Sequence, residues 1–244
     1  MKNVIAAVLL LAVMSIHPGA GEEVVHALRY PQSGGGTITP VGTPACANTT
    51  SGGSLTVTYT PYAAGDELFV SIAMAPITIS PTVTGVQDLT SGGSTYTHGS
   101  ASWPERGGST SIDEWYTLSL VSGVTSVKAT FSATAGVSMC VSEYSGGSGI
   151  GASPNQGTWT SSPGTSYSAT LTMAASSSYG VCAIGMTTAV TPTATAGTIR
   201  KFNTNGTYAT DAIQDNTGST SLSVAGTLSP TAHNGEWTCL ELHL

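Results

Sequence analysis

The sequence predicts an all-β protein, a two-layer antiparallel β-sandwich of jelly-roll or lectin-like type with about twelve strands. The first indication is a period of two: apolar residues alternate with threonines over residues 55–59, which gives a strand one buried and one wet face. The second is composition, because 32 Ser, 38 Thr and 30 Gly among 244 residues disfavour helices. The third is the series of Gly-rich turn signals between the apolar segments.

Two kinds of strand are predicted along the chain. Half-buried strands, in which apolar and polar residues alternate, are predicted at 55–59, 126–131 and 167–173. Central strands, apolar on both faces, are predicted at 68–75, 137–141, 181–186 and 237–244. The segment 187–197, with its proline and repeated Thr and Ala, is predicted as a long surface loop. No internal repeat of fixed period is evident.

The N-terminus has the pattern of a secretory signal. Lys2 precedes an uncharged apolar run at 4–16, which is shorter than the roughly 20 residues that span a bilayer. We therefore expect a cleaved signal peptide at 1–20 and a single β-sandwich domain at 21–244. The mature protein is predicted to be secreted, with no membrane span after cleavage.

Charge is sparse in this chain. Charged residues make up 8% of the sequence, against roughly a quarter in ordinary globular proteins, and the formal net charge is -7. The 6 Lys and Arg are scattered without forming a basic stripe, so nucleic acid is not expected as a partner. A hydrophobic content of 40% argues against a disordered chain.

The four cysteines all lie in the predicted exported part. An even number of cysteines in a secreted chain predicts two disulfides, for which three connectivities exist. Cys140 and Cys182 lie in apolar segments, whereas Cys46 and Cys239 lie near the two ends of the mature chain. The favoured pairing is therefore Cys140 with Cys182 and Cys46 with Cys239, and buried free thiols are the alternative.

The order of several short segments resembles a known group of domains. These segments are Ser54-Leu-Thr-Val-Thr-Tyr, Gly65-Asp-Glu-Leu-Phe-Val, Val83-Thr-Gly-Val-Gln-Asp, Val127-Lys-Ala-Thr-Phe-Ser and Val141-Ser-Glu-Tyr-Ser-Gly. Together they resemble a widespread, largely uncharacterised group of β-sandwich domains in secreted bacterial and phage-associated proteins, which often accompany adhesion or glycan-binding modules. The resemblance implies a jelly-roll or lectin-like sandwich over about residues 50–244, and it transfers no catalytic residue.

Two carboxylates lie inside apolar segments, Glu143 and Glu241. They would form the catalytic pair if the protein were a glycoside hydrolase, because that chemistry needs two acids flanking the bond. The adjacent acidic pairs elsewhere would point to opposite faces of a strand. The alternative for Glu143 is that it accepts amide hydrogens at a turn. No Gly-x-Ser-x-Gly nucleophile elbow occurs.

A weak candidate metal site is formed by Asp211, Asp215 and Asn216. Their oxygens beside a glycine turn could hold a structural calcium ion, although the spacing matches no standard calcium loop. Turns closed by Asp and Asn side chains explain the same residues without an ion.

The segment 98–114 is the strongest candidate for a ligand-binding site. It carries His98, Trp103, Glu105 and Arg106 in a chain that is otherwise poor in charge and large aromatics. A pyranose could stack on the tryptophan while the charged groups bind its hydroxyls. Trp159 is a second loop aromatic. The alternative is that Trp103 folds back as a lid on a sheet.

The favoured function is a non-catalytic secreted module for surface adhesion or glycan binding, with glycans or cell-surface polymers as partners. One alternative is an extracellular carbohydrate-active hydrolase that uses Glu143 and Glu241. Another is a structural subunit of an extracellular filament or phage appendage, which would self-associate through strand edges. No cofactor is expected, apart from the candidate calcium ion.

Overall fold

The computed structural model describes residues 37–75, 81–90, 92–102, 111–151, 155–174, 178–186, 188–205, 209–217 and 221–244, with the backbone alone at 100–102, 155–163 and 231–234. Contacts divide the chain into two units, Met1–Ser33 and Gly34–Leu244. All described residues belong to the second unit, so the predicted signal peptide at 1–20 lies outside them.

The described residues form thirteen strands. These are β1 (Thr39–Thr58), β2 (Glu67–Ala75), β3 (Val83–Asp88), β4 (Thr97–Ser102), β5 (Ser111–Thr117), β6 (Ser126–Ser145), β7 (Gly149–Ile150), β8 (Asn155–Thr172), β9 (Tyr179–Met186), β10 (Thr191–Ala196), β11 (Thr198–Thr204), β12 (Thr210–Thr217) and β13 (Ser221–His243). The alternating pattern is realised at the end of β1, where Leu55 and Val57 are buried while Thr56 and Thr58 are exposed.

Two antiparallel sheets contain these strands. The first sheet has the order β1-β6-β2-β5-β4, with β3 also paired to β6. The second sheet has the order β10-β13-β9-β12-β11, with β7 and β8 also paired to β13. The predicted all-β class with antiparallel sheets is therefore confirmed. The part of the chain described here contains no helix with the length and apolar character needed to cross a membrane.

The two sheets pack face to face around a middle core. Phe69 and Cys140 of the first sheet meet Val181, Ile213 and Leu240 of the second sheet there. On its other side each sheet covers an outer core of its own. The strands β2 and β9 are consequently buried along both faces, which agrees with their prediction as central strands.

Each sheet also folds over itself. Both arms of the long strand β6 contribute to the first outer core, Val127 and Ala129 from one arm and Val137 and Met139 from the other. The bend coincides with register shifts around Gly52 in the pairing of β1 with β6. The two arms of β13 enclose the second outer core in the same way.

The two sheets have the same topology. Adding seven to each strand number converts every strand pairing of the first sheet, including that of β3 with β6, into a pairing of the second sheet, and the two-residue strand β7 is additional there. The contacts between the sheets match in the same way, because β4 packs against β8 and β13 just as β11 packs against β1 and β6. Strands β1 to β6 and strands β8 to β13 therefore form two equivalent halves. Each strand of one half has a counterpart in the other half with the same pairing.

The irregularities of the two halves coincide as well. The register shift after His98 in the pairing of β4 with β5 recurs after Ile199 in the pairing of β11 with β12. The shift after Val83 in β3 recurs after Ala194 in β10. Bulges are specific features of a fold, so their recurrence supports the equivalence strand by strand.

This equivalence is not visible as a repeat in the sequence, because the connecting loops differ in length. By register, Ser54 corresponds to Ser168, whereas Val127 corresponds to Leu222. The offset between equivalent residues therefore changes along the chain, and no fixed period exists to be detected.

The predicted disulfide pairing is wrong. The bonds join Cys46 to Cys140 and Cys182 to Cys239, and no described cysteine is free. In each bond the two cysteines lie directly opposite each other on adjacent antiparallel strands, with Cα–Cα distances of 4.1 and 4.0 Å. Cys140 faces the middle core while Cys182 faces the second outer core, so the predicted bond between them would have to cross a sheet.

Candidate functional site

The acidic side chains of the described residues lie inside the protein. All ten Asp and Glu residues in the described ranges are buried, namely Asp66, Glu67, Asp88, Asp113, Glu114, Glu143, Asp211, Asp215, Glu236 and Glu241. The exposed faces of the outer strands carry hydroxyls instead, as at Thr170 of β8 and Ser223 of β13, which lie opposite each other. The formal negative charge of the sequence is therefore not displayed on the described surface.

Several of these carboxyls are held neutral by burial. Burial raises the pKa of Glu67 to about 7 and that of Asp211 to about 8. It also raises the pKa of Glu114 well above its ordinary value, although the nearby Thr238 hydroxyl acts in the opposite direction. Near neutral pH the folded protein thus carries less negative charge than its sequence suggests.

This burial has a measurable consequence for the isoelectric point. The folded protein should focus at a higher pH than the same protein in urea, whose carboxyls titrate near the values that give the sequence isoelectric point of about 5.0. Isoelectric focusing of one sample under native and denaturing conditions measures the difference. Coincident bands would contradict the assignment of neutral buried carboxyls.

Glu143 and Glu241 hold turns. The carboxylate of Glu143 accepts hydrogen bonds from the backbone N–H groups of Tyr62 and Ala63, at 2.8 and 3.2 Å, and from the Tyr59 hydroxyl. The carboxylate of Glu241 accepts a hydrogen bond from the N–H of Ala174 at 2.8 Å. Each glutamate thus binds backbone in the connection between the first two strands of its half. For Glu143 this is the turn role expected from the sequence.

The two glutamates occupy equivalent positions but face away from each other. Glu143 lies opposite Leu68 of β2, and Glu241 lies opposite Gly180 of β9. Because side chains alternate along a strand, Glu143 points to the side of the first outer core and Glu241 to the side of the second. The middle core lies between them, so the fold does not bring this pair together across a substrate cleft.

The residues of the candidate calcium site do not converge. Asp211 and Asp215 share the face of β12 that packs on the first sheet, where Asp211 accepts a hydrogen bond from the Ser71 hydroxyl. Asp215 instead pairs with Arg200, whose Nε lies 2.5 Å from its carboxylate. Asn216 points to the opposite face and donates to the carbonyl of Ser223. Within the described ranges, no group of three or more His, Cys, Asp and Glu residues could hold a metal ion.

His98 forms the exposed centre of a small cluster on the hairpin of β4 and β5. Its Nε2 lies 2.7 Å from the buried carboxylate of Asp113, and its side chain is 46% exposed. Its ring is 4.9 Å from that of Trp115, at an interplanar angle of 42°. The hydrogen bond to Asp113 raises the pKa of His98 above its ordinary value. A half-exposed imidazole is thus fixed in orientation by a buried acid and an aromatic ring.

The other residues predicted to bind a ligand are either outside the described residues or described by their backbone alone. Trp103, Glu105 and Arg106 lie in the connection between β4 and β5, outside the described residues. The prediction of Trp159 as a loop aromatic is wrong, because its backbone belongs to β8 and pairs with Gly235. β8 packs against β4, the strand that carries His98. The strands that carry His98 and Trp159, both predicted to bind a ligand, are therefore neighbours, one in each sheet.

Sequence reasoning did not identify Asp113 and Trp115 as partners of His98. Trp115 packs against the first outer core while remaining partly exposed. The signal that could have linked them is the hairpin itself, since His98 lies opposite Trp115 in the register of β4 and β5. Comparisons of this chain with protein-family models, with curated proteins and with solved structures gave no match.

Proposed function

We propose that this protein is a secreted, non-catalytic module for surface adhesion or glycan binding, with a binding site at the hairpin of β4 and β5. The observation that carries the proposal is the His98 cluster, in which Asp113 and Trp115 hold an exposed imidazole in place. A rigid aromatic group beside an oriented hydrogen-bonding group is the usual means of recognising a sugar ring. In the sequence, Trp103 directly follows β4, the strand that carries His98.

The surface chemistry supports a hydroxyl-rich partner. With the described carboxylates buried, the outer strands present Ser and Thr hydroxyls, as at Thr56 and Thr58, which can exchange hydrogen bonds with polysaccharide hydroxyls. The two disulfides are compatible with an oxidising, extracellular compartment, and they support the secretion expected from the N-terminal segment. The turn-holding roles of Glu143 and Glu241 favour binding over glycoside hydrolysis.

The His98 site can be tested by glycan-array retention of two variants. His98→Ala should lower retention at least several-fold while leaving the melting temperature nearly unchanged, because the ring is half exposed. His243→Ala is the matched control, because this partly buried histidine lies opposite Gly149 of β7 and does not belong to the hairpin of β4 and β5. Equal retention by the wild type and His98→Ala would overturn the assignment of the site. A large loss of stability in His98→Ala would show that the cluster is structural.

A further inference from the structure

The outer face of three strands in the second half carries an array of hydroxyl groups. Strand β13 pairs with both β8 and β10, and alternate residues of these strands point away from the second outer core. The outward positions are the even residues of 166–172, the odd residues of 221–229, and Thr191 and Thr193. Ten of these eleven positions are exposed Ser or Thr, and the other is Ala225. We call this surface the hydroxyl face.

The hydroxyls stand in register across the strands. Ser223 lies directly opposite Thr170, and Thr227 lies opposite both Ser166 and Thr193. Along each strand the outward positions repeat about every 6.7 Å, and neighbouring strands lie about 4.8 Å apart. The array extends about 26 Å along β13. The hydroxyl face is therefore a two-dimensional lattice of hydroxyl groups rather than a set of separate polar side chains.

The core beneath the hydroxyl face fixes this lattice. The residues between the outward positions, such as Leu171, Leu222 and Val224, are buried in the second outer core. The threonine side chains are themselves stiff, because branching at Cβ restricts χ1. A ligand therefore meets hydroxyls that are already in position, and little conformational entropy is lost when it binds.

The equivalent face of the first half has a different composition. There Lys128 of β6 lies between Thr56 of β1 and Gln87 of β3. Lys128 corresponds to Ser223, because the residues that precede them are equivalent by register. The first half thus has an amine and an amide at the centre of its face, where the second half keeps a hydroxyl. The fold itself does not require an unbroken hydroxyl array, so the array calls for a ligand.

The chemistry and the spacing of the hydroxyl face match a surface of crystalline water. A hydroxyl both donates and accepts hydrogen bonds, as each water molecule of an ice surface does, and repeats of similar length separate the oxygen atoms there. None of the eleven positions is charged, so no strongly hydrated ion among them holds water in another arrangement. A polysaccharide fits less well, because the hydroxyl face has no aromatic ring on which a sugar could stack.

We propose that the hydroxyl face binds ice, with Thr170, Ser223 and Thr227 in hydrogen-bonding contact with the crystal. The binding is the sum of many weak hydrogen bonds, so one large side chain that lifts the face off the crystal should remove most of it. This function goes beyond the glycan-binding module proposed above. The hydroxyl face does not include His98, so either site can fail while the other holds.

Thermal hysteresis, the gap between the melting and freezing points of a single ice crystal, measures the binding in a solution of the full mature chain. The wild type should show a gap and facet the crystal, whereas serum albumin at the same concentration should do neither. Ser223→Lys should reduce the gap to the albumin level. The fold should accept this change, because the first half has a lysine at the equivalent position. Thr227→Tyr, which adds bulk without charge, should lower the gap about threefold or more.

The matched control is Thr58→Lys, which changes an exposed threonine at the end of β1 in the first half and should keep the wild-type gap. Several results would overturn the proposal. No gap in the wild type would remove ice as the ligand, and an unchanged gap in Ser223→Lys would exclude the hydroxyl face. An equal loss in Thr58→Lys would show that the effect is not local.

A polysaccharide ligand would give a different pattern. Cosedimentation of the wild type, but not of Ser223→Lys, with crystalline cellulose in the absence of a gap would assign the hydroxyl face to a polysaccharide and overturn the proposal. Thermal melting of each variant confirms that it is folded. His98→Ala should keep the wild-type gap, which separates this result from the outcome at the hairpin of β4 and β5.

Discussion

Stability should rise as the pH falls from 8 to about 4, and Asp211→Asn should lose much of that dependence. Asp211 is fully buried in the middle core, where burial raises its pKa from 3.8 to about 8. Between these two values the folded protein retains a proton that the unfolded chain releases. The free energy of unfolding therefore decreases with rising pH across this window, by up to about 5 kcal/mol for this one group.

The sign is opposite to that of ordinary acid denaturation. A paired carboxylate loses its stabilising effect when it is protonated, whereas Asp211 contributes its full effect below the unfolded pKa and loses it as the pH rises through about 8. The raised pKa values of Glu67, Glu114 and His98 act in the same direction. The wild type should therefore be more stable at pH 5 than at pH 8.

Urea unfolding at pH 5 and pH 8 measures the effect. Asp211→Asn keeps the shape of the side chain without a titrating group, so the difference between the two pH values should shrink by several kcal/mol. Ser71→Ala is the matched control: it retains the carboxyl but removes the hydroxyl that lowers its pKa. That variant should keep the pH dependence or increase it. An unchanged dependence in Asp211→Asn would mean that this carboxyl is ionised in the folded protein.

The features that depend on local pattern could be predicted from the sequence. The period of two at 55–59 and the doubly apolar segments that form β2 and β9 gave correct strands, because these patterns report which faces are buried. The turn role of Glu143 also followed from chemistry alone, since a buried carboxylate needs donors.

The features that depend on register could not be predicted. The disulfides join cysteines that antiparallel pairing places opposite each other, and spacing along the chain carries no information about that pairing. The cluster of His98, Asp113 and Trp115 likewise arises from a hairpin register that includes a bulge.

Tertiary pairing also overrode local propensity at 187–197. This segment was predicted as a loop because of its proline, but Thr191–Ala196 forms β10. Pro192 is tolerated there because β10 stands at the end of the strand order, where a missing N–H costs no ladder hydrogen bond.

Glu143→Ala should lower the free energy of unfolding by about 3–5 kcal/mol, because it leaves buried donors without an acceptor. The side chain is fully buried and accepts from Tyr62, Ala63 and Tyr59 at once, so the change removes the anchor of the turn before β2. Tyr59→Phe removes one of these donors and should cost only about 1 kcal/mol, which makes it the graded control. Urea unfolding followed by circular dichroism measures both values. A catalytic acid would behave differently, since its removal would abolish activity at little cost in stability, and unchanged unfolding of Glu143→Ala would return this residue to the hydrolase scheme.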